Sequence, residues 1–587
     1  MPLGDTSTGP IDILKDDLND EDLNHRINAI KRLPMIALCL GKERTLGELI
    51  PFLNETIYDE TEVLLVLADQ LGKFTSLVGG PENAMYLIPI LESLATVTDC
   101  VVRSKAIESL CTVIAQHSAQ DLLKYVIPMM RRLTNGSWFT FRISACGLFA
   151  TCYPRVSEQV KAQLRSSFYI LCKDTEVIVR KEAAISMVEF TKVMEGMSRW
   201  EFLPSCAVLT MDKDDTVAML AVESYIMVAQ FLTQIEVDFL IWPTIRRCAK
   251  ESSWAARYMV AEKIVDLQKA VYPKTTLLKL VKVFQKLLKD TEVKVRTAAA
   301  SKVSDFCGNL YKAKHEKVIL SSILPCARDL VSDPNVDVRS ALASVIMNVS
   351  SILGASYTVE RLLPMFYTLV KDENPKVRLN LISNLKSVNE IIGIQQLSNS
   401  LLPAIVELYE DPSIEIHLGI IGVMPTLAGQ FGQVFFDKNL TCLFMGSLRD
   451  PVYGIRETAV INLKKLVAAF GVLWAEEVVI PGILTMPCDP EYSYRMTYLF
   501  CVNFLAEICG IDINTKILLP RVLQLAGDPV AIIRFNVAKT LEKIFPFLEE
   551  SVIDAQLKPT LDKLITDRDV DVKFFAAQAI AAIIPRN

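Results

Sequence analysis

Aspartate and a basic residue recur at a fixed spacing in the second half of this sequence. Six aspartates follow one another at intervals of 39 residues: Asp372, Asp411, Asp450, Asp489, Asp528 and Asp567. The sixth residue after each of them is, in the same order, Arg378, His417, Arg456, Arg495, Arg534 and Lys573. This spacing favours ion pairing over catalysis, because a period of about 20 to 50 residues is typical of stacked structural units. We expect ladders of alternating charge, in which an exposed pair contributes about 0–1 kcal/mol and mainly fixes the register of neighbouring units.

Candidate catalytic and metal-binding residues are sparse. The four histidines lie in different units of the repeat: His25, His117, His315 and His417. The motifs H-E-x-x-H, G-x-x-x-x-G-K-[ST] and G-x-S-x-G, which build zinc, nucleotide and serine-hydrolase sites, do not occur. We interpret His417 as a polar substitute on the ladder. Asp569 and Asp571 belong to a loop between helices, where they are either solvated or in contact with a partner. We therefore predict that the chain is not an enzyme and binds no cofactor or metal.

Composition narrows the class of protein. Half of the 587 residues are hydrophobic, which is typical of a packed helical protein. The net charge of −6 argues against a nucleic-acid-binding protein, which would need a basic face. No apolar run reaches the roughly 18 residues of a spanning helix, so we expect no membrane insertion. The Met1–Pro10 segment has no apolar signal core. The 14 cysteines form no C-x-x-C pair, so we expect them to be reduced residues of the core.

The same register extends back to the start of the chain. The earlier anchor positions are Asp20, Asp59, Val97, Gly136, Asp174, Asp212, Glu251, Asp290 and Asp333. Successive anchors are 38 or 39 residues apart, except for 43 residues between Asp290 and Asp333. A proline lies eight residues before most anchors, as Pro364 does before Asp372. The register predicts fifteen repeats, with a flexible N-terminus at residues 1–10.

Each repeat is predicted to contain two helices. Val377, Leu381 and Leu385 fall at helical spacing and form the apolar face of the second helix of their repeat. The proline lies in the first helix and should bend it, and glycines such as Gly432 should close the second helix. About 39 residues per helix pair with this Pro, Asp and Arg resembles the HEAT repeat. We expect an all-α, right-handed α-α superhelix (solenoid) of about fifteen HEAT repeats, with the shape of a horseshoe.

Four aromatic residues lie in the turn between the anchor and the ladder position of their repeats: Trp138, Trp254, Tyr453 and Tyr492. One interpretation is that each ring packs on the neighbouring repeat. The alternative is that the rings form an extended binding ridge, because the turns of stacked repeats line one edge. Four aromatic residues in the same turn favour the ridge.

Several segments resemble one family of HEAT-repeat proteins. IYDETEVLLVLADQLG, SACGLFATCYPRVS, LASVIMNVSSILG, DPVAIIRFNVAK and DVDVKFFA are similar to the scaffolding A subunit of type 2A serine/threonine protein phosphatase. The similarity runs from the first repeat to the last. It implies a monomeric, non-enzymatic scaffold within a heterotrimer, whose other members are the phosphatase catalytic subunit plus an exchangeable regulatory B-type subunit. It also implies a cytoplasmic location with nuclear presence, and metal ions that belong to the catalytic partner.

The resemblance assigns the two partners to different repeats. Repeats 1–10, residues 11–400, would bind the regulatory subunit, while repeats 11–15, residues 401–587, would bind the catalytic subunit. The contacts with the catalytic subunit would be Val452, Tyr453, Tyr492, Arg495, Met496, Ala531, Arg534, Phe535, Asn536, Asp569, Asp571, Lys573 and Phe574. Those with the regulatory subunit would be Asp59, Glu60, Glu62, Arg103, Trp138, Arg142, Arg180, Lys181, Trp254 and Arg257.

The sequence departs from the family pattern at a few of these turns. Ile414 and Glu415 stand where the family has Trp followed by Arg, and Glu415 would repel an acidic partner surface. Ala255 replaces an arginine after Trp254, and Val177 replaces a proline. These changes would weaken or redirect partner binding. An importin-like nuclear transport receptor is the alternative among HEAT-repeat proteins, and binding to a small GTPase would distinguish it.

Overall fold

The computed structural model describes residues 9–55, 59–250, 253–270, 276–392 and 395–583. Most of the predicted N-terminal segment 1–10 and the anchor Glu251 lie outside these residues. Every regular element in the described ranges is a helix, so the predicted all-α fold of repeated helix pairs is confirmed. The chain forms two compact units, Met1–Lys302 and Val303–Asn587.

The second helices of the repeats begin shortly after the anchor residues. In the first unit they are Leu23–Lys31, Thr61–Gly72, Cys100–Ile114, Phe139–Cys152, Val177–Lys192, Asp215–Ala229, Trp254–Glu262 and Val293–Ser301. In the second unit they are Val336–Ala343, Pro375–Ser383, Ile414–Phe431, Tyr453–Phe470, Tyr492–Ile513, Ala531–Ile544 and Val570–Ile583. Within each unit, successive second helices pack side by side, and their inward apolar residues form a continuous core.

The first helices are more often interrupted. In the first unit they comprise Pro10–Leu18, Leu33–Arg44, Ile50–Glu55, Ile88–Leu94, Ala119–Asp121, Ile127–Thr134, Glu158–Leu171, Gly196–Cys206, Gln234–Glu236, Trp242–Cys248 and Thr276–Leu288. In the second unit they comprise Glu316–Val318, Leu324–Leu330, Ser350–Tyr357, Leu363–Leu369, Gln395–Tyr409, Gln433–Asn439, Thr441–Ser447, Val472–Trp474, Ile480–Ile483, Leu519–Gln524, Glu550–Val552 and Lys558–Ile565. Further α-helices before the next repeat are Ile264–Ala270, Val303–Lys312 and Lys386–Ile392. Short 3₁₀ segments are Phe74–Ser76, Pro81–Leu87, Tyr153–Arg155, Ala207–Met211, Ile346–Val349, Met486–Cys488, Leu525–Gly527 and Phe545–Phe547.

The recurring proline widens the first helix into a π-helical turn. The turns that end two residues before a proline are Thr45–Leu49, Leu122–Val126, Val237–Ile241, Ile319–Ile323, Thr358–Leu362, Ala475–Val479, Asn514–Leu518 and Ile553–Leu557. Proline has no N–H to donate, and its ring clashes with the carbonyl four residues earlier. The backbone relaxes by shifting to a bond across five residues, as between the N–H of Ile50 and the carbonyl of Thr45. The sequence predicted a bend at the proline, and the structure shows a π-helical turn directly before it.

Glycine closes two of the second helices as predicted. Gly432 (φ 79°) follows Phe431, and Gly471 (φ 94°) follows Phe470. A residue with a Cβ atom is strained at such angles, so glycine allows the chain to turn sharply into the next repeat.

Three helical stretches are long and apolar enough to cross a membrane, judged by length and composition alone: Val336–Leu369, Ile414–Phe431 and Tyr492–Gly527. On that criterion the sequence prediction that no stretch reaches the length of a spanning helix was wrong. Two of the stretches are broken helices, because Gly354 (φ 74°) and Gly510 (φ 79°) interrupt them. The apolar residues of all three stretches contribute to the core between repeats. The absence of membrane insertion stays a prediction.

Candidate partner-binding surface

An arginine of one repeat is bonded to the anchor aspartate of the next. The Nε and Nη2 atoms of Arg142 donate to the two carboxylate oxygens of Asp174 at 2.6 and 3.0 Å. The Nη1 atom of Arg142 donates to the carbonyls of Gly136 and Ser137 in its own turn, at 2.8 and 3.1 Å. Asp174 also accepts the N–H of Glu176 at 2.9 Å. One guanidinium group therefore fixes the turn of its own repeat and the carboxylate of the next.

The same link recurs along both units. The further pairs are Arg26–Asp59, Arg180–Asp212, Arg257–Asp290, Arg339–Asp372, Arg495–Asp528 and Arg534–Asp567. The predicted ladder is confirmed, but the expectation that its pairs are exposed was wrong. In the Arg495–Asp528 pair, for example, only 10% and 4% of the side-chain surfaces are exposed. Removing one partner of such a buried, doubly hydrogen-bonded pair costs about 3–5 kcal/mol.

The ladder is interrupted in repeats 10 to 12. Among the described residues, the carboxylate nearest to Arg378 is that of Glu407, at 3.8 Å, and the Nε atom of Arg378 has no hydrogen-bond partner. His417 Nδ1 lies 3.9 Å from Asp450 Oδ2, beyond hydrogen-bond distance, and the ring packs edge-on against Tyr409 at 4.6 Å. Burial lowers the pKa of His417, with a smaller opposing effect of Asp450. His417 therefore does not replace the arginine link.

The next link is rearranged as well. Arg456 donates from Nε to the hydroxyl of Thr497 at 3.2 Å, and the carboxylate of Asp489 is bound by Arg449 at 3.2 Å. Repeats 13 to 15 resume the regular pattern through the Arg495 and Arg534 links.

The first residues of five successive second helices form a row, which we call the C-terminal ridge. The ridge consists of Ile414, Tyr453, Tyr492, Ala531 and Val570, each three residues after its anchor. Four of these side chains are exposed, by 51% at Ile414, 48% at Tyr453, 46% at Tyr492 and 76% at Val570. Large apolar side chains exposed in a row are typical of a surface that contacts a partner. The aromatic pattern of the sequence identified only the two tyrosines, and the family resemblance added Ala531 and the substituted position Ile414. Val570 was missed, although it lies at the same position after its anchor.

The structure separates the residues assigned to the catalytic subunit into three groups. The exposed ones are Tyr453, Tyr492, Asp571, Lys573 and Phe574, and the half-buried ones are Val452, Met496, Ala531, Phe535 and Asp569. Arg495, Arg534 and Asn536 are buried. The two arginines hold the ladder, and Asn536 donates to the carbonyl of Ile532 at 2.8 Å. These three residues have a structural role, and a contact with a partner stays a prediction for all thirteen.

The residues assigned to the regulatory subunit differ in exposure as well. Glu60, Glu62 and Trp138 are exposed, Arg103 is buried, and the half-buried residues are Asp59, Arg142, Arg180, Lys181, Trp254 and Arg257. Arg103 donates to the carbonyls of Val97 and Thr98. Its Nε atom has no partner in the described part of the chain, because the next anchor is Gly136.

The two tryptophans of the turns behave differently. Trp138 exposes 68% of its surface. Trp254 is covered by Lys294 of the next repeat, whose Nζ atom lies 4.7 Å from the ring centroid, and by Tyr258 at 6.3 Å. Trp254 therefore fits the interpretation that a turn aromatic packs on its neighbour, whereas Trp138 is free for contact.

Within the described ranges, no group of three or more His, Cys, Asp and Glu side chains is arranged to hold a metal ion. The site is thus a row of mostly apolar side chains, and buried ion pairs link its turns in repeats 13 to 15. Such an arrangement is suited to the recognition of a surface by shape and apolar contact.

Comparison with known proteins identifies relatives. Residues 273–354 match the family model "PPP2R1A-like HEAT repeat". A 65 kDa regulatory subunit of phosphatase PP2A from Drosophila melanogaster is 63% identical over 191 residues, which cover 32% of either chain. The beta isoform of the 65 kDa regulatory A subunit of phosphatase 2A from Homo sapiens is 52% identical over 360 residues, 61% of this chain and 60% of the human one. The resemblance to the phosphatase regulatory A subunits is confirmed.

A relative is also found in a fission yeast. The PP2A regulatory A subunit of Schizosaccharomyces pombe is 43% identical over 267 residues, 45% of either chain. The matched segments span between about a third and three fifths of these relatives' length.

Solved structures with the same fold include nuclear transport receptors. Yeast importin-beta (Kap95p) aligns with a TM-score of 0.53 at 12% identity and covers 97% of this chain and 81% of that one. Kap121p bound to RanGTP aligns with a TM-score of 0.57 at 14% identity and covers 92% and 57%. At these identities the likeness shows the HEAT-type fold alone.

Proposed function

We propose that this chain is a non-catalytic scaffold of a type 2A serine/threonine protein phosphatase. In this proposal repeats 11–15 hold the catalytic subunit, while the earlier repeats hold an exchangeable B-type regulatory subunit, so that the chain is the single scaffold of a heterotrimer. The similarity to the regulatory A subunits supports the kind of partner. The C-terminal ridge is the observation that supports the site.

The ridge has the properties of a preorganised interface. Each ridge residue begins a helix, and the links Arg495–Asp528 and Arg534–Asp567 fix the neighbouring turns relative to each other. Because these turns are already ordered, binding of a partner costs little conformational entropy there, which favours affinity. Tyrosine is also enriched among the residues that dominate binding energy in interfaces. A scaffold that holds an enzyme and a substrate-selecting subunit raises their effective concentration for each other.

The first experiment measures the affinity of the full chain for a purified type 2A catalytic subunit. The variant Tyr453→Ala/Tyr492→Ala/Phe574→Ala removes exposed rings and leaves the ladder intact. We expect it to weaken binding by about 100-fold or more, since each central aromatic contact contributes about 1–2 kcal/mol or more.

The matched control changes exposed apolar residues on first helices of neighbouring repeats. Val434→Ala/Leu473→Ala alters side chains that are 84% and 75% exposed. We expect its dissociation constant to stay within about threefold of the unmodified chain. Absence of binding by the unmodified chain would refute the proposal, and equal loss in both variants would refute the assignment to the ridge.

The site of the regulatory subunit is tested separately in the first unit. Trp138→Ala should weaken recruitment of a B-type subunit to a preformed complex of scaffold and catalytic subunit, because it removes a large exposed ring. The affinity for the isolated catalytic subunit should not change. We also propose a cytoplasmic location with nuclear presence, which the resemblance supports and which imaging of the labelled chain would test.

The importin-like alternative is supported by the fold alone. Binding of a small GTPase in its GTP form to this chain, at an affinity that survives physiological salt, would favour that alternative over the phosphatase scaffold.

A further inference from the structure

A groove between the first helices of repeats 7 and 8 is lined by five cations. Its volume is about 350 Å³. Arg246 and Lys250 line it from repeat 7, and Lys279, Lys282 and Lys286 from repeat 8. The groove has no acidic residue among its lining side chains in the described ranges. It lies wholly within the unit Met1–Lys302, whereas the C-terminal ridge belongs to the other unit.

The cations of the groove have no carboxylate partner in the part of the chain that the structure describes. Neither an ion pair nor a hydrogen bond joins any of the five side chains to a carboxylate there. Other lysines of this unit reach across to the neighbouring repeat, such as Lys263 to Glu223 and Lys302 to Glu262, both at 2.7 Å. A concentration of five positive charges is also unusual in a chain whose net charge is −6.

The lysines of repeat 8 share one helix face. Lys279, Lys282 and Lys286 are spaced by three and four residues, which places them in one row about 10 Å long. Like charges at this spacing repel and destabilise a helix. The mutual repulsion within this row is consistent with a binding role.

Exposed apolar residues adjoin the groove in the sequence of both helices. Phe239 lies three residues before Trp242, a groove-lining residue, and is 66% exposed, while Leu278 directly precedes Lys279 and is 45% exposed. The ring of Phe239 lies 5.8 Å from that of Trp200 in repeat 6. Ile235, 63% exposed, extends the same apolar surface. Phe239, Ile235 and Trp200 therefore form an exposed apolar patch on repeats 6 and 7, and Phe239 precedes the groove residue Trp242 by three residues in the chain.

We propose that this groove binds an extended acidic segment of a protein partner, with its carboxylates on the lysines and a large apolar side chain on the Phe239 patch. Charge complementarity with five cations requires a negatively charged ligand. The length of the row suits several carboxylates along a chain better than one compact anion. Four of the five cations are lysines, which lack the fork of arginine that favours bidentate phosphate binding.

Two other polyanions fit the surface less well. A nucleic acid needs a basic face that follows its backbone over several phosphates, whereas the five cations are confined to one groove between two helices. A lipid surface needs cations that protrude, whereas these line a recess. Both ligands remain outcomes of the test.

The test uses the full chain and a fluorescent peptide of about 12 residues, long enough to follow the row in an extended conformation. The peptide contains glutamates and ends in Leu-Phe. A second peptide has glutamine in place of each glutamate. We expect the acidic peptide to bind, and the glutamine peptide to bind at least about tenfold more weakly.

Charge-reversal variants assign the site. Lys282→Glu/Lys286→Glu should raise the dissociation constant of the acidic peptide at least about tenfold, and Phe239→Ala about threefold or more. The control Lys31→Glu/Lys213→Glu makes the same change of net charge at two exposed lysines of the same unit that form no ion pair with another described residue. It should alter the dissociation constant less than about twofold. Equal melting temperatures of the variants would exclude unfolding as the cause.

Several results would overturn the proposal. These are failure of the acidic peptide to bind at physiological salt, equal binding of both peptides, or an equal effect of the two double variants. Tighter, Lys282- and Lys286-dependent binding of phosphatidylserine vesicles or of single-stranded DNA than of the peptide would reassign the groove to that ligand. The phosphatase scaffold proposal does not depend on this outcome, because the ridge lies in the other unit.

Discussion

Arg534 and Asp567 are 33 residues apart in sequence and are joined by two hydrogen bonds, from Nε to Oδ2 at 2.6 Å and from Nη2 to Oδ1 at 2.9 Å. The same guanidinium group donates to the carbonyls of Asp528 and Pro529 at 2.8 and 3.2 Å. One side chain thus connects the turn of repeat 14 to that of repeat 15.

Replacing Arg534 with alanine should destabilise the second unit by about 3–5 kcal/mol, because it leaves the carboxylate of Asp567 without its counter-charge. Arg534→Lys should also lower the free energy of unfolding, but by less than the alanine variant does. Lysine keeps the positive charge and cannot reproduce the two parallel hydrogen bonds. Urea unfolding followed by circular dichroism measures the difference. Lys563→Ala, at an exposed lysine of repeat 15, is the control and should change stability by less than about 0.5 kcal/mol. An equal effect of the two alanine variants would contradict the role of the link.

The stability of this link should depend on pH in the acid range. The hydrogen bonds from Arg534 lower the pKa of Asp567 from its ordinary value of 3.8 to about 2. Because the folded pKa is the lower one, the contribution of Asp567 is fully present above about pH 4 and is lost as the pH falls toward 2. Urea midpoints between these pH values should fall less steeply in Asp567→Asn than in the unmodified chain. Parallel curves would show that Asp567 does not titrate with unfolding.

His417→Arg should restore a missing link. The arginine side chain is long enough to reach Asp450, which lies 3.9 Å from the histidine ring, and the site would match the other repeats. A hydrogen bond between charged groups contributes about 1.5–3 kcal/mol, so the urea midpoint should rise. Amide hydrogen exchange should slow locally in the helices Ile414–Phe431 and Tyr453–Phe470. Unchanged exchange there, with the fold intact, would mean that the interruption has another cause.

Ile414→Trp/Glu415→Arg should strengthen binding of the type 2A catalytic subunit by about tenfold, if the proposed function is correct. The change replaces an exposed acid with a base and enlarges the apolar contact at one end of the ridge. Leu473→Trp/Glu477→Arg makes the same two kinds of change at exposed residues near the start of a repeat and should leave the affinity unchanged. Weaker binding in the first variant would show that the partner surface facing repeat 11 is basic.

The sequence period predicted the helix pairs and the ladder because residues 39 positions apart occupy the same environment in successive repeats. It could not predict the interruption, since Arg378 and Asp411 have the expected identities and spacing and yet do not bond. Whether two such side chains meet depends on the rotation between repeats, which core packing sets. The basic groove could not be predicted from the sequence either, because Lys250 and Lys282 become neighbours only when two first helices pack together.

The burial of the ladder was predicted wrongly for a similar reason. Charged residues in a turn are usually solvated, and nothing in a single repeat reveals that Asp528 is buried against Arg495 of the preceding repeat. The ridge was found only in part, because Ile414 and Val570 are ordinary core residue types whose exposure follows from their position at the start of a helix.

Each ridge side chain stands on the first residue of a helix, while the arginine three residues later, as in repeats 13 and 14, holds the stack together. The proposed contact with a partner and the link between repeats therefore use different positions of one turn. Substitutions on the ridge can therefore accumulate with little effect on folding, and a lineage can exchange binding partners by changing a few side chains. In repeats 13 and 14, replacing the arginine would remove a buried ion pair, so seven consecutive residues combine a surface position that is free to change with a position that the fold constrains.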